Sequence, residues 1–411
     1  MIGLVFRGAT LLPGDADWLP RPNCDLLVRD GRVVAAAPGL AVPDGCEEVP
    51  AHHLLLLPAF INAHTHSPEA LARGRAPMGR LDDWLAAQYA EGEDRLTDQR
   101  IRQAILLAAG EMVHGGAVQA TDHFRQIPAS VEAVAVAASA WAESGVRGRV
   151  AMMLRDLPSP GAPTPPDTEA TLAAAHALLQ RCPPGAEIGL GPSAPQRCSD
   201  ALLRGVAELA REYGCFVHLH LCETALDAER CRARFGTHPV VALAAFGLSG
   251  PHVEYAHCVH LVDAELDLMA EAGTLLVHNP MANLRLGSGI APVARAAARG
   301  VRIGIGTDGA GSNDTQDMLE AAKLALLLPR AARSDAEWPT PEAILRMATG
   351  GAGLRPGATA DILAMNLGAP AFIHARPDEI AARLLLAARP RDISHVLGAG
   401  RFLMRDGALT P

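Results

Sequence analysis

The 411-residue chain contains no run of basic residues, and its formal net charge is −9. A nucleic-acid-binding surface announces itself through clustered Lys and Arg, so no nucleic-acid partner is expected. Aromatic residues make up only 4% of the chain, which leaves Ala, Leu and Val to fill the core. The eight cysteines (Cys24, Cys46, Cys182, Cys198, Cys215, Cys222, Cys231 and Cys258) form no C-x-x-C pair. Spread so thinly, they do not read as a disulfide framework, and a reducing cytoplasm is the expected setting. No apolar stretch is long and uncharged enough to span a bilayer, and Met1-Ile-Gly-Leu-Val-Phe-Arg7 lacks a sustained apolar core. The expected protein is cytoplasmic and unprocessed, with no membrane partner.

What is present is apolar and patterned. The chain is 49% hydrophobic, ample for a large core, and its length suits two or three domains or one large barrel with an attachment. Residues 1 to about 57 read as short strands. Asp25-Leu-Leu-Val-Arg-Asp-Gly-Arg-Val-Val34 carries an Asp30-Gly31 hairpin signal. Ala360 to Ala364, Ile393 to Leu397 and Arg401 to Gly407 repeat the pattern at the other end. The two β-rich ends, 1–57 and 358–411, are expected to pair into one small β-sandwich. Between them, over 58–357, eight apolar strand candidates end near His66, His123, Arg155, Ser193, Glu223, His260, Pro280 and Asp308. Helical stretches such as Arg100 to Val113, Val131 to Glu143, Glu169 to Gln180 and Ala201 to Tyr213 separate them. Eightfold strand–helix alternation predicts a (β/α)8 TIM barrel, whose active site lies at the C-terminal ends of the strands. An open doubly wound sheet fits the stripes as well. Only a closed barrel, however, gathers the polar ends of strands one, five, six, seven and eight at one place.

Those ends carry the candidate chemistry. In His64-Thr-His66 the imidazoles stand two residues apart, hence on one side of a strand. His218-Leu-His220-Leu-Cys-Glu223 offers one more histidine for a metal and a carboxylate for proton transfer. His257-Cys-Val-His260 and His278-Asn-Pro280 follow strands six and seven. Asp308 sits in the Gly-rich turn Gly306 to Asn313 after strand eight, where a lone aspartate otherwise serves the turn itself. A catalytic metal needs three or four N/O donors and an open position. Three histidines and one aspartate from strands one, five and eight meet that need.

The order and spacing of these motifs resemble the amidohydrolase superfamily, in its branch of single-metal aminohydrolases. The likeness is carried by Pro58-Ala-Phe-Ile-Asn-Ala-His-Thr-His66, His220-Leu-Cys-Glu-Thr224, Ala256-His-Cys-Val-His260, His278 to Pro292 and Gly306 to Asn313, and it spans nearly the whole chain. The resemblance implies metal ligands His64, His66, His220 and Asp308, with Glu223 and His257 as the acid/base pair and Asp308 also acting on the water. His218 is then a barrel-interior residue. Two-metal relatives bridge their ions with a lysine on the fourth strand. The only lysine here is Lys323, beyond the eighth, so one divalent ion is expected, zinc first, with iron, nickel or manganese as other occupants of such a site.

The implied reaction is attack of a metal-bound hydroxide on the amino-bearing carbon of a nitrogen heterocycle, with release of ammonia. The partner is thus a small heterocyclic molecule, and relatives imply a homodimer or homotetramer. The segment Asp83 to Thr97 resembles that of nucleoside-type deaminases, bringing Trp84 and Glu93 into the pocket, Glu93 as a hydroxyl-binding acid. Three features depart from that pattern: Gly191-Pro-Ser193 replaces Gly-Pro-His, Ala282-Asn283 replaces Ser-Asn, and Met347 to Gly357 is short. Ser193, Asn283, His123-Phe-Arg125 and Arg155-Asp156 are therefore candidates to line an altered pocket. A modified purine, a pterin or a triazine fits this reading. Hydrolysis of a C–Cl, C–O or amide bond, or a non-catalytic metal-binding barrel, stands as the alternative.

Overall fold

Alternating apolar residues at both chain ends form strands that pair with one another. The computed structural model describes residues 3–14, 18–76, 78–89, 96–126, 130–159, 161–181, 186–332 and 338–410. The first five strands are β1 (Gly3–Leu11), β2 (Arg21–Arg29), β3 (Arg32–Ala37), β4 (Cys46–Pro50) and β5 (Leu54–Pro58). The β2–β3 hairpin turns at Asp30 and Gly31, whose φ values are +50° and +75°. These are the left-handed conformations that a tight hairpin of this hand requires.

The middle of the chain supplies β6 (Phe60–Thr65), β7 (Ala117–Phe124), β8 (Arg147–Leu154), β9 (Glu187–Pro192), β10 (Val217–Leu221), β11 (Val253–His257), β12 (Leu275–His278) and β13 (Arg302–Ile305). They lie in sequence order in one parallel sheet. The sheet curls until its last strand meets its first. The Asp308 amide donates to the His64 carbonyl at 2.9 Å, and Asn62 spans the seam to Thr307. The helices expected from the sequence all form: α1 (Leu81–Tyr89) precedes α2 (Asp98–His114), α3 (Val131–Ser144), α4 (Thr168–Gln180) and α5 (Asp200–Tyr213). Thr97, Ser130, Asp167 and Ser199 cap α2 to α5 by accepting an amide of the first turn. The fold is a (β/α)8 barrel.

After the barrel come β14 (Ile362–Asn366), β15 (Ile393–Gly398), β16 (Arg401–Arg405) and β17 (Ala408–Leu409). β14 pairs antiparallel with β5, so the two ends share one nine-stranded sheet. Arg147, at the start of β8, grips Asp361 with two bonds of 2.8 and 2.6 Å and ties this sheet to the barrel floor. The seven described cysteines are free thiols, and among the described residues no helix is long and apolar enough to cross a membrane.

One packing contact reaches the candidate site. The buried Trp141 of α3 donates its Nε1–H to Asp122 at 3.0 Å. Asp122 in turn accepts the Ser67 amide at 3.0 Å and the Ser67 hydroxyl at 2.5 Å, fixing the chain just after His66. Trp141 fits because residue 148 is glycine: a Cβ there would lie 2.2 Å from Trp141 Cγ. Gly148→Ala is therefore expected to cost ~1–3 kcal/mol through overpacking. Urea unfolding monitored by far-UV circular dichroism measures it, and an unchanged midpoint would show that the indole has room to shift.

Candidate active site and metal centre

Period-two alternation places His64 and His66 on the inner side of β6 and its end, and His218 and His220 on the inner side of β10. Two tiers of stacked imidazoles result. In the lower tier the His64 and His218 rings lie 4.9 Å apart at 9°. In the upper tier the His66 and His220 rings lie 5.2 Å apart at 13°. The turn after β13 brings Asp308 against both tiers. Its Oδ1 stands 3.3 Å from His64 Nε2 and 3.4 Å from His66 Nε2.

Hydrogen-bond partners assign the tautomers. His66 Nδ1–H donates to the His123 carbonyl at 2.7 Å, and His220 Nδ1–H donates to the Ser193 carbonyl at 2.6 Å. A carbonyl only accepts, so both protons sit on Nδ1 and both Nε2 atoms carry lone pairs. Those two Nε2 atoms face each other at 3.1 Å. His64 Nε2 is fully buried with no hydrogen-bond partner among the described residues. Burial first, then the neighbouring imidazoles, depress His64 and His220 far below the usual histidine range, so both are neutral. Burial also pushes Asp308 upward, but His66, His257 and His220 and the Gly309 amide outweigh it and keep the carboxylate ionised.

Three converging lone pairs and an anionic oxygen, packed this closely, repel unless a cation lies between them. The separations of 3.1, 3.3 and 3.4 Å match a tetrahedron with bonds of ~2.0–2.1 Å, whose edges are about 3.3–3.4 Å. His64, His66 and Asp308 each offer an atom within 4.8 Å of the others, as do His64, His220 and His257. The residues present fit a single divalent ion.

Two further groups crowd the same point. His257 donates its Nδ1–H to Asn283 Oδ1 at 2.8 Å and turns Nε2 toward Glu223 Oε2 at 3.8 Å and Asp308 Oδ2 at 3.9 Å. Burial disfavours its charged form, yet Glu223, Asp308 and the Asn283 bond raise its pKa above the ordinary value. Glu223 is buried, its Oε1 has no partner among the described residues, and burial lifts its pKa to about 7 against the pull of His257. His257, Cys258 and Asp308 adopt φ of +73°, +50° and +65°. Such conformations in non-glycine residues cost of order 1–3 kcal/mol and cluster at functional sites.

A model of the Amidohydrolase family matches residues 55–400. The chain belongs to this family. The amidohydrolase is 32% identical to the 5-methylthioadenosine/S-adenosylhomocysteine deaminase of Desulforudis audaxviator, over 98% of this chain and 93% of that one. It is 33% identical to the 5'-deoxyadenosine deaminase of Methanopyrus kandleri, over 86% and 82% of the two chains. A solved adenosine deaminase from Xanthomonas campestris with bound zinc shares the architecture at a TM-score of 0.88 and 26% identity, covering 99% of this chain and 94% of that one.

The amidohydrolase's donor cluster forms the base of a cavity of about 50 Å³. A larger one of about 490 Å³, lined among others by Trp141, Arg147, Arg149 and Glu187, lies at the opposite end of the barrel, away from the donors. Chemistry and not size selects the site. Of the expected pocket residues, Trp84 and Ser193 line the smaller cavity, and Trp84 is anchored by its Nε1–H to the Gly311 carbonyl at 3.0 Å. Glu93 lies outside the described residues. Three others have different company. His123 packs its ring edge-on against His66 and His220. Asn283 holds His257. Arg155 turns to the carbonyls of Leu157 and Pro163.

Glu69, Arg197 and Met153, which no sequence motif marks, also line the cavity, alongside Arg125 and Ser312. Glu69 is 2% exposed, and burial lifts its pKa to about 8, with Arg125 opposing and Asp308 reinforcing. It faces inward because residues 67–71 coil into a 3-10 turn after β6, which strand periodicity does not foretell.

Removing one of the four donors should weaken metal binding by more than the roughly 10–100-fold typical of outer-shell changes. His66→Ala protein, loaded with zinc and dialysed, is expected to retain well under one equivalent by atomic emission. Full retention would remove His66 from the ligand set.

Proposed function

We propose that this chain is a metal-dependent aminohydrolase that replaces the exocyclic amino group of a nitrogen heterocycle with oxygen and releases ammonia. The observation that carries the reading is the donor cluster with Glu223 and His257 set against its open side. The relatives act, by name, on adenosine derivatives, which puts a purine-nucleoside-like substrate first and pterins and triazines after it. His64, His66, His220 and Asp308 hold the ion, and zinc is favoured by the His3Asp donor set and by the zinc-bound neighbour. When bound, the ion supplies Lewis acidity and a coordinated water of lowered pKa. Residues 58–357 form the catalytic unit, and 1–57 with 358–411 the attached sheet domain.

The chain's own groups divide the remaining work. Asp308 presents one carboxylate oxygen to His64 and His66 and the other toward His257, which lets it orient the attacking water and take its proton. Glu223, with a pKa near neutrality, gives its proton to a ring nitrogen and makes the amino-bearing carbon electrophilic. His257, held by Asn283, hydrogen-bonds the incoming oxygen as charge builds on it. The C–N bond then breaks: the nitrogen leaves as ammonia with the proton first taken from water, while the added hydroxyl gives up its proton to form C=O and that proton restores Glu223. Trp84, Leu81, Leu85, Met153 and Leu286 supply apolar walls for a flat ring, and Ser193, Glu69, Arg125 and Arg197 its polar contacts.

An ammonia-coupled screen of zinc-loaded enzyme against adenosine derivatives, purines, pterins and aminotriazines tests the function. Release of ammonia from none of them would sink it. On the best substrate, Glu223→Gln is expected to keep about one metal equivalent while kcat falls by ~10²–10⁴-fold. Unchanged turnover would take Glu223 out of the reaction.

A further inference from the structure

The lower imidazole tier does not end at His218. His64 Nδ1 lies 2.7 Å from His218 Nε2, and His218 Nδ1 lies 2.7 Å from Glu254 Oε2. Glu254 Oε1 accepts from Arg149 Nη1 at 2.6 Å. A carboxylate only accepts, so His218 carries its proton on Nδ1, its Nε2 accepts, and the His64 proton sits on Nδ1. Both imidazole donors therefore point the same way, from the metal centre toward the barrel floor. His64 and His218 are fully buried and Glu254 is 6% exposed.

Strand register builds this chain. His218 is paired with Glu254 across β10–β11, and Arg149 sits between Thr121 and Glu187 across β7–β8–β9. Arg149 is clamped by Thr121 at 3.0 Å and Glu187 at 2.6 Å, with its guanidinium 4.1 Å above the Phe216 ring. Burial would push Glu254 toward its neutral form, but His218 and Arg149 hold it below the usual range, as an anion.

A buried ionic chain is a poor source of stability, because desolvation offsets most of the attraction and apolar side chains of like size often do as well. Its geometry serves His64 better than it serves the core. We propose that His218, Glu254 and Arg149 are positioning residues for the metal ligand His64. They fix its ring and its proton, and polarise it so that Nε2 is a stronger donor. The inference rests on the reading of His64 as a metal ligand. Among the described residues, His66 and His220 have a backbone carbonyl at Nδ1, whereas the partner of His64 is itself backed by a full anionic charge.

Glu254→Gln keeps shape and removes the charge, and its amide cannot accept from both His218 and Arg149 at the atoms they now use. Zinc affinity by chelator competition is expected to fall ten- to a hundredfold. The visible absorption of the cobalt-substituted protein should shift, while the metal-free protein melts close to wild type. Folded Glu254→Gln with wild-type zinc affinity and an unchanged cobalt spectrum overturns the proposal. Should that variant not fold, Arg149→Met with Glu254→Leu, which removes both charges together, is read by the same two measurements. Failure of both to fold marks the chain as structural and likewise overturns it. Wild-type protein that binds no zinc would instead sink the metal reading itself, and none of these measurements requires a substrate.

Discussion

The placement of a single proton on each imidazole governs the rest of this site. A histidine offers a lone pair at Nε2 only when something accepts its Nδ1–H. Here the acceptors are two backbone carbonyls, of His123 and Ser193, and one side chain, His218. The carbonyls belong to strands whose positions the whole barrel fixes. Cation binding is thus a property of the sheet as much as of the ligand side chains. The same logic governs His257, whose Nδ1–H is taken by Asn283, which turns Nε2 toward Glu223, Asp308 and the Asn279 amide.

Burial then sorts the titratable groups by role. His64 and His220 are pushed neutral, His257 is raised by Glu223 and Asp308 against its burial, Asp308 is held ionised by the histidines around it, and Glu223 is lifted to about 7. Two carboxylates that both face His257 are driven in opposite directions because Asp308 meets several imidazoles and the Gly309 amide, while at Glu223 burial outweighs the pull of His257. A hydrolytic site needs that split, since one group must accept a proton while the other gives one.

Much of this was legible in the sequence, and the reason is geometric. His64-Thr-His66 and His218-Leu-His220 have the two-residue period that places both side chains on one face of a strand, and the eightfold alternation put those strands in a ring. The terminal hairpin at Asp30-Gly31 and the pairing of the two chain ends were readable for similar local reasons. Contacts set by loops and long side chains were not. Glu69 and Arg197 reach the cavity from 3-10 turns. Arg155 stands where a pocket residue was expected, but its reach let the carbonyls of Leu157 and Pro163 capture it. Asn283, expected beside the substrate, spends its oxygen on His257. Arg149 and Glu254 sit at strand beginnings, where a charged residue reads as solvated. Only the register across five strands shows that they meet.

The two tiers have a consequence for how the chain can change in length. β6 with the residue that follows it, and β10, each carry an upper imidazole and, two positions earlier, a lower one, so the two imidazoles of each pair are locked to the same parity. Deleting or inserting one residue of β6 before His64, or of β10 before His218, would turn both imidazoles of that strand outward at once. By the same parity, a change of length leaves these four imidazoles in place only where it falls in a connection outside the two strands.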